Sequence, residues 1–543
     1  MKVEHDLLRV LGEAPFLDPL EAAALSGWSR GAVYAAARKL GEAGFVASLP
    51  HASELVAPTQ RYSLTRAGLH RLAEQEGEGL CEALRSRPLT AHWQRLLLER
   101  LDAVAVIYRL AAAIADGAWP LRFRWYRAQP MDAAVALPDG RSLFVVRQGR
   151  TADRTSFAKR LWRLREGPPP GAYLVLVPDA VRLRHTARLM AQASAPAFLA
   201  LERDAAAGSG TRAWRSAAGS PSLSLGEVLA HVGDRRAWPQ EEPLARVTVP
   251  RDIRLTGVRR APVWLFPALL RPAEKHVLGL IADWPWIAPA HLGRLLGVSA
   301  RRVSQILQPL EAAALANRVS GRLVLGDRGL ALLARRDRSA VHLARARWSA
   351  RPLDPSAPLA WRNVTGRRSR QLLRTIEHTA AVHWFVAALA EQALEHGPEV
   401  VQLDPPHRAS RYFRDGGAVH SVHPDAFGVL ETDGEPRPFF LEWERRAVRP
   451  STMATRLAPY LRYYASQRPT DHHGARPAVL VVFDDEVAAH HFLRVAAAET
   501  KRARVDVPLR VSHRALLEQE GPLGAAWRTV AAAEPSRPWH QST

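Results

Sequence analysis

Three carboxylates stand out by their spacing. Asp425 follows Pro424 and heads the apolar run AFGVL, and Glu442 and Glu444 flank Trp443 in a second apolar stretch, FFLEWE. Read as two strands joined by a turn, residues 421–446 put Glu442 and Glu444 on one face, because side chains two apart on a strand project to the same side. Hairpin pairing then brings Asp425 within reach of them. Three carboxylates on a half-buried face repel one another and lose hydration, at a cost of several kcal/mol per ion. Such a group needs a hard divalent cation such as Mg²⁺ or Mn²⁺, neighbouring arginines, or raised pKa values. With the cation the chemistry would be polarisation of a phosphate and generation of hydroxide. With arginines, drawn from Arg445, Arg446, Arg449 or Arg456, the acids would be inert.

The elements that must hold these residues read as helix, irregular strand, strand pair, helix, strand, and the pattern occurs twice. LDAVAVIYRLAAAIADG from 101 parallels HTAAVHWFVAALAEQALEHG from 378. MDAAVALPDGRSLFVVRQGR (131–150) parallels 424–446, SFAKRLWRL parallels TMATRLAPYL, and GAYLVLVPD parallels RPAVLVVFDD. This alignment sets Asp132 against Asp425, Val146 and Gln148 against Glu442 and Glu444, and Arg160 against Arg456. The first copy is therefore expected to bind no metal.

Each unit is preceded by three short helices and a hairpin, the order of a winged helix-turn-helix. In the first, Asp18 caps a helix with Pro19 at its first position, Ser29 caps the next, Gly44 stops it, and Thr65 opens a fourth. Val33, Ala36, Ala37 and Leu40 share one face of the third helix, leaving Arg30, Tyr34, Arg38 and Lys39 for DNA. In the second, Val303, Ile306, Leu307 and Leu310 form the buried stripe. Arg301, Arg302, Ser304 and Gln305 lie near the N-terminal end, where a recognition helix meets the major groove, with Arg322 on the wing. The wing turns at Ser320-Gly321, and Pro309 is expected to bend or interrupt the third helix.

The chain of 543 residues carries a formal net charge of +22, which favours a polyanionic partner, double-stranded DNA above all. Only five of the 75 basic residues are lysine. A single cysteine, Cys81, rules out an internal disulfide framework and a thiolate zinc site and fits the cytoplasm. No apolar run approaches the roughly 20 residues that span a bilayer, and the N-terminus has no signal-peptide character. The expected architecture is an α/β (α+β) multidomain protein, a tandem duplication. Its parts are a winged helix at 1–78, a degenerate nuclease-like unit at 88–205 and a linker at 206–262. A second winged helix at 263–337, a basic connector at 338–370, a second nuclease-like unit at 371–530 and a loose tail at 531–543 complete it.

The strand pair resembles the PD-(D/E)xK nuclease fold, in which two carboxylates bind Mg²⁺ and a lysine assists the attacking water. The resemblance implies Asp425 and Glu442 as metal ligands and Asp425, Glu442 and Glu444 as the catalytic set, with glutamate standing at the lysine position. Over 272–500 the chain also resembles the replication-relaxation family of plasmid and integrative-element proteins, through Pro424-Asp425, Leu441-Glu442-Trp443-Glu444 and Arg456-Leu457 to Tyr460. That resemblance implies a winged helix before a degenerate nuclease-like domain, and a role in plasmid replication, DNA relaxation or conjugative transfer. Three functions follow. The first is a DNA-binding protein with an inactive platform, which needs no cofactor. The second is a Mg²⁺- or Mn²⁺-dependent endonuclease or nickase. The third is an adaptor for other DNA-processing or conjugation proteins, with homo-oligomers open. His472-His473 and His490-His491 read as surface residues, Tyr463-Tyr464 as part of a helix face, and Trp28, Trp93, Trp125, Trp384 and Trp443 as core. Phosphate-loop, nucleophile-elbow and dinucleotide fingerprints are absent.

Overall fold

The computed structural model describes residues 2–151, 154–208, 210–219, 221–255, 257, 261–444, 450–532 and 534–539. It divides into two compact units, 1–276 with 328–345 and 277–327 with 346–543. Among the described residues no helix is long and apolar enough to cross a membrane.

The first unit opens with α1 (Lys2–Glu13), α2 (Pro19–Ser26) and α3 (Arg30–Glu42). The Asp18 carboxylate accepts from the N–H groups of Leu20 and Glu21, and Glu21 accepts in turn from the Asp18 N–H, a reciprocal cap worth about 1 kcal/mol. Ser29 caps α3, whose buried stripe is Val33, Ala36, Ala37 and Leu40. Gly44, at φ 75°, turns the chain out of it. β1 (Val46–His51) and β2 (Thr59–Leu64) pair antiparallel, and Thr65 caps α4 (Arg66–Glu76). After α5 (Leu101–Ala118) come β3 (Arg122–Trp125), β4 (Ala133–Ala136), β5 (Ser142–Arg147), α6 (Arg154–Glu166), β6 (Ala172–Val177) and β7 (Ala197–Leu201). Two antiparallel steps, β3-β4-β5, lead into two parallel ones, β5-β6-β7. Every residue of β6 is buried, as parallel strands covered on both faces require. Within the stretch expected as a linker, β8 (Arg215–Ser216) adds an edge to this sheet and Leu225–Ala230 is helical.

The second group runs through α7 (Pro272–Asp283), α8 (Pro289–Leu296), α9 (Ala300–Ala312) and the antiparallel pair β9 (Ala316–Val319) and β10 (Arg322–Leu325). Ser320 and Gly321 turn the hairpin at φ 47° and 74°, as the sequence suggests. α9 does not stop and restart at Pro309: it runs unbroken to Ala312. Proline there removes a bond to the Gln305 carbonyl, on an exposed side of the helix one turn from its end, where solvent can satisfy it. The two groups share a backbone signature. Phe16 and Trp286, both buried, adopt φ 70° and 69° at matching places in PFLDP and PWIAP.

Next come α10 (Arg367–Arg374), α11 (Ile376–His396) and β11 (Glu399–Asp404). An additional hairpin follows, β12 (Arg411–Asp415) with β13 (Ala418–Val422), then β14 (Ala426–Thr432), β15 (Glu435–Glu444), α12 (Pro450–Ala465), β16 (Ala478–Phe483) and β17 (Leu509–His513). The sheet order is β11-β14-β15-β16-β17, again two antiparallel steps and then two parallel ones. Tyr463 and Tyr464 lie on helix α12, as expected, and both are buried. His472 and His473 correct the surface assignment. Both are buried at the end of a short helix, where they pack on Tyr463, Phe427 and Phe440.

Candidate functional site

Register places the acids. Ala426 pairs with Leu441, and the Asp425 N–H donates to the Leu441 carbonyl at 2.8 Å, so Asp425 enters the hairpin beside Glu442. Its Oδ2 accepts the Trp443 N–H at 2.9 Å and lies 3.2 Å from Nε2 of His378, on α11. The same Nε2 is 3.0 Å from the Trp443 carbonyl. A carbonyl only accepts, so the proton of His378 sits on Nε2. Trp443 points to the opposite face, its indole N–H donating to Asp484 at 3.1 Å. Glu442 accepts the Tyr460 hydroxyl and Glu444 pairs with Arg456, both partners coming from α12. Arg456 is thus one of the arginines expected to neutralise the acids, while Arg445, Arg446 and Arg449 lie outside the described residues. His378 and Tyr460 complete the cluster. No local motif marks His378, which is 47 positions from Asp425.

Each carboxylate is turned to a protein partner. Among the described residues no set of three His, Cys, Asp or Glu side chains is arranged to hold a metal ion. Ionisation is opposed in one place. Burial, together with the charge of Asp425, raises Glu442 to about 8, against the pull of the Tyr460 bond and Arg456. A carboxyl raised on folding favours the fold while protonated, so its contribution is full below its unfolded pKa of 4.5 and is lost as pH rises through about 8. Glu442→Gln should therefore stabilise the protein above pH 8, on the order of 1–2 kcal/mol for a partly buried group, and have little effect below pH 5. Denaturant melts of both proteins at several pH values check this. A pH-independent difference would mean that burial and Asp425 do not raise the Glu442 carboxyl.

The first unit carries the same frame with other chemistry. The Asp132 N–H donates to the Val145 carbonyl at 2.8 Å, and Asp132 Oδ2 accepts the Arg147 N–H at 2.7 Å. These bonds match those of Asp425 with Leu441 and Trp443, so Val146 and Gln148 occupy the places of Glu442 and Glu444. Both are buried, and among the described residues Gln148 Oε1 has no hydrogen-bond partner. Arg160 and Arg338 bind the two Asp132 oxygens at 2.6 and 2.9 Å. Burial pushes the Asp132 carboxyl up, but Arg160 and Arg338 outweigh it and hold the group below the usual carboxylate range. Arg147 pairs with Glu202 and, at 3.3 Å, with Asp337. Gly149 makes room for Asp337, since a Cβ there would stand 2.3 Å from it. Ion pairs thus fill what would be the acidic site.

The residues expected to meet DNA divide into two kinds. On α3, Arg30, Tyr34, Arg38 and Lys39 are all exposed, but Lys39 is held by Glu4 at 2.7 Å and Arg38 is 4.0 Å from Glu42. Arg30 lies over the Tyr34 ring. An open groove of ≈ 540 Å³ runs beside them, lined by Tyr34, Arg38, Gly41, Val46, Ser48 and Tyr62. On α9, Arg301, Arg302, Ser304 and Gln305 are exposed together; Arg302 donates to Gln305 at 3.3 Å. Among the described residues, no carboxylate pairs with Arg301 or Arg302. Arg322 is held by the backbone. Half-buried, it donates to the Trp286 carbonyl at 3.2 Å, as buried Arg61 donates to the Phe16 carbonyl at 2.8 Å. Both guanidiniums hold a left-handed aromatic in place.

With this geometry in view, comparison with known families is informative. Residues 278–479 match the replication-relaxation family. This is the family that the Pro424-Asp425 and Leu441 to Glu444 segments suggested. The replication-relaxation region begins within α7 and ends in β16, so it takes in α9, His378 and all three carboxylates. No curated protein and no solved structure matches the chain.

Proposed function

We propose that the chain is a cytoplasmic DNA-binding protein of a plasmid or mobile element, acting in replication, DNA relaxation or transfer. Two winged helices hold duplex DNA, and the nuclease-like units serve as inactive platforms. The observation that carries this reading is the α9 face, where Arg301 and Arg302 stand exposed with no carboxylate partner among the described residues, beside Ser304 and Gln305, on a helix seated by its cap and its apolar stripe. The net charge of +22 supports the same partner. The family match supports the biological setting. Inactivity of the platforms is supported by the partners that all three acids of the second copy have within the protein, and by Val146 and Gln148 in the first.

One feature favours cleavage instead: burial and the neighbouring Asp425 make Glu442 hard to ionise, and a cation would relieve that. Supercoiled plasmid incubated with wild type and Asp425→Ala, in Mg²⁺, Mn²⁺ and EDTA, separates the readings. Both proteins should retard the plasmid without nicking it, with affinity falling roughly 10³–10⁵-fold from 50 to 200 mM salt if about six to ten phosphates are contacted. Nicking by wild type alone, abolished by EDTA, would make Asp425, Glu442 and Glu444 an active site. A flat salt dependence would end the DNA-binding reading in favour of a protein adaptor.

A further inference from the structure

Residues 346–375 contain seven arginines and a single acid, Asp354. The sequence alone suggests a connector, but the segment is built into the second unit. Leu359, Leu372, Leu373 and Ile376 pack against Trp286, Val324 and Ala350, which joins α10 to the β9-β10 hairpin. Ser369 is buried and donates to the Trp348 carbonyl at 2.8 Å, and the Gly366 N–H donates to the Ser349 carbonyl at 2.8 Å. A Cβ on Gly366 would stand 2.5 Å from that carbonyl, so the approach depends on glycine. The apolar side of α10 is thereby fixed.

Its other side is cationic. Arg367, Arg368 and Arg374 are exposed, as is Arg362. The guanidiniums of Arg362 and Arg374 both lie over the Trp361 ring, 4.9 and 5.5 Å from its centre, contacts that restrict two long side chains to one region. Arg368 bonds Gln371, a neutral partner. Among the described residues no carboxylate pairs with any of these four. Arg370, by contrast, is tied to the Val364 carbonyl. Four uncompensated guanidiniums on a rigid mount repel one another, an arrangement that a polyanion would stabilise.

We propose that Arg362, Arg367, Arg368 and Arg374 form a phosphate-binding track for duplex DNA, continuous with the hairpin of the second winged helix. The inference rests on the DNA-binding reading and extends it. The recognition helix reads the groove, and the arginine track grips the backbone of the flanking duplex without regard to sequence. Guanidinium is suited to this, since its forked donors match phosphate geometry.

The test is the salt dependence of binding by the full chain to a random-sequence duplex. Wild type, a quadruple Arg362→Gln/Arg367→Gln/Arg368→Gln/Arg374→Gln variant and an Arg301→Ala/Arg302→Ala variant are compared. All altered side chains are exposed, so equal melting temperatures should attest intact folds. Each lost phosphate contact lowers the slope of log K against log salt by about 0.9, so the quadruple variant should lose about 3 to 4. A wild-type slope in the quadruple variant would overturn the track. The DNA-binding reading would survive if Arg301→Ala/Arg302→Ala still weakened binding. A flat wild-type slope would overturn both. A slope change seen with single strands but not with duplex would overturn the assignment of the track to duplex DNA.

Discussion

Replacing Arg61 by alanine should destabilise the first unit by about 3–5 kcal/mol. Arg61 is fully buried on β2. It donates to both Glu21 oxygens at 2.8 and 3.2 Å, to the Phe16 carbonyl at 2.8 Å and to His51 Nδ1 at 3.1 Å. Alanine would leave the buried Glu21 carboxylate to the more distant Arg109, 3.5 Å away, and the Phe16 carbonyl without this donor. Glu21 already shows the strain of its position: burial raises its pKa even with the opposing charge of Arg61 beside it. The loss should therefore depend on that charge. Glu21→Gln keeps an acceptor for the Asp18 N–H while removing the charge, so Arg61→Ala/Glu21→Gln should fall well short of the sum of the single changes. Additive losses in denaturant melts would show that the pair is not coupled. The second group supplies a comparison. There His291 stands at the Glu21 position and, among the described residues, half-buried Arg322 bonds only the Trp286 carbonyl, so Arg322→Ala should cost about 1 kcal/mol.

That contrast shows what the sequence can and cannot reveal. Helix starts are legible because capping is local chemistry: Asp18-Pro19, Ser29 and Thr65 act within three residues of themselves. The hairpin at Ser320-Gly321 and the alternation that sets Glu442 beside Glu444 are legible for the same reason. Internal repetition made Asp132 the counterpart of Asp425, and the shared bonds to the Arg147 and Trp443 N–H groups agree with it. The partners were not legible. His378 approaches Asp425 only because α11 packs on the sheet, and Arg338 reaches Asp132 across 206 residues. Arg322 reads as a wing cation because its charge is visible in the sequence and the Trp286 carbonyl is not. Pro309 does not interrupt its helix, because the effect of a proline depends on how near the helix end it lies. His472 and His473 look like surface residues until the rings of Phe427 and Phe440 cover them.

Removing both guanidiniums from the α9 face should produce the largest functional loss. A base-edge or phosphate contact of an arginine is worth roughly 1–3 kcal/mol, so Arg301→Ala/Arg302→Ala should weaken duplex binding by about 30-fold to 10⁴-fold, with melting temperature unchanged. The expectation follows from exposure and from the absence of competing carboxylates among the described residues, since a guanidinium that gives up no ion pair keeps its full attraction for DNA. The equivalent change on α3 should do less, because Lys39 would first have to leave Glu4 at 2.7 Å. The single changes locate the readout further. A residue that bonds a base edge relaxes preference at one position, whereas one that bonds phosphate weakens all sequences alike and lowers the salt slope by about 1. Arg302, which leans on Gln305 at 3.3 Å, is oriented by a neighbour that itself can bond adenine. Its loss should therefore fall mainly on sequence preference, and that of Arg301 mainly on the slope. Equal affinity of the double variant and wild type, measured across salt, would remove α9 from the interface.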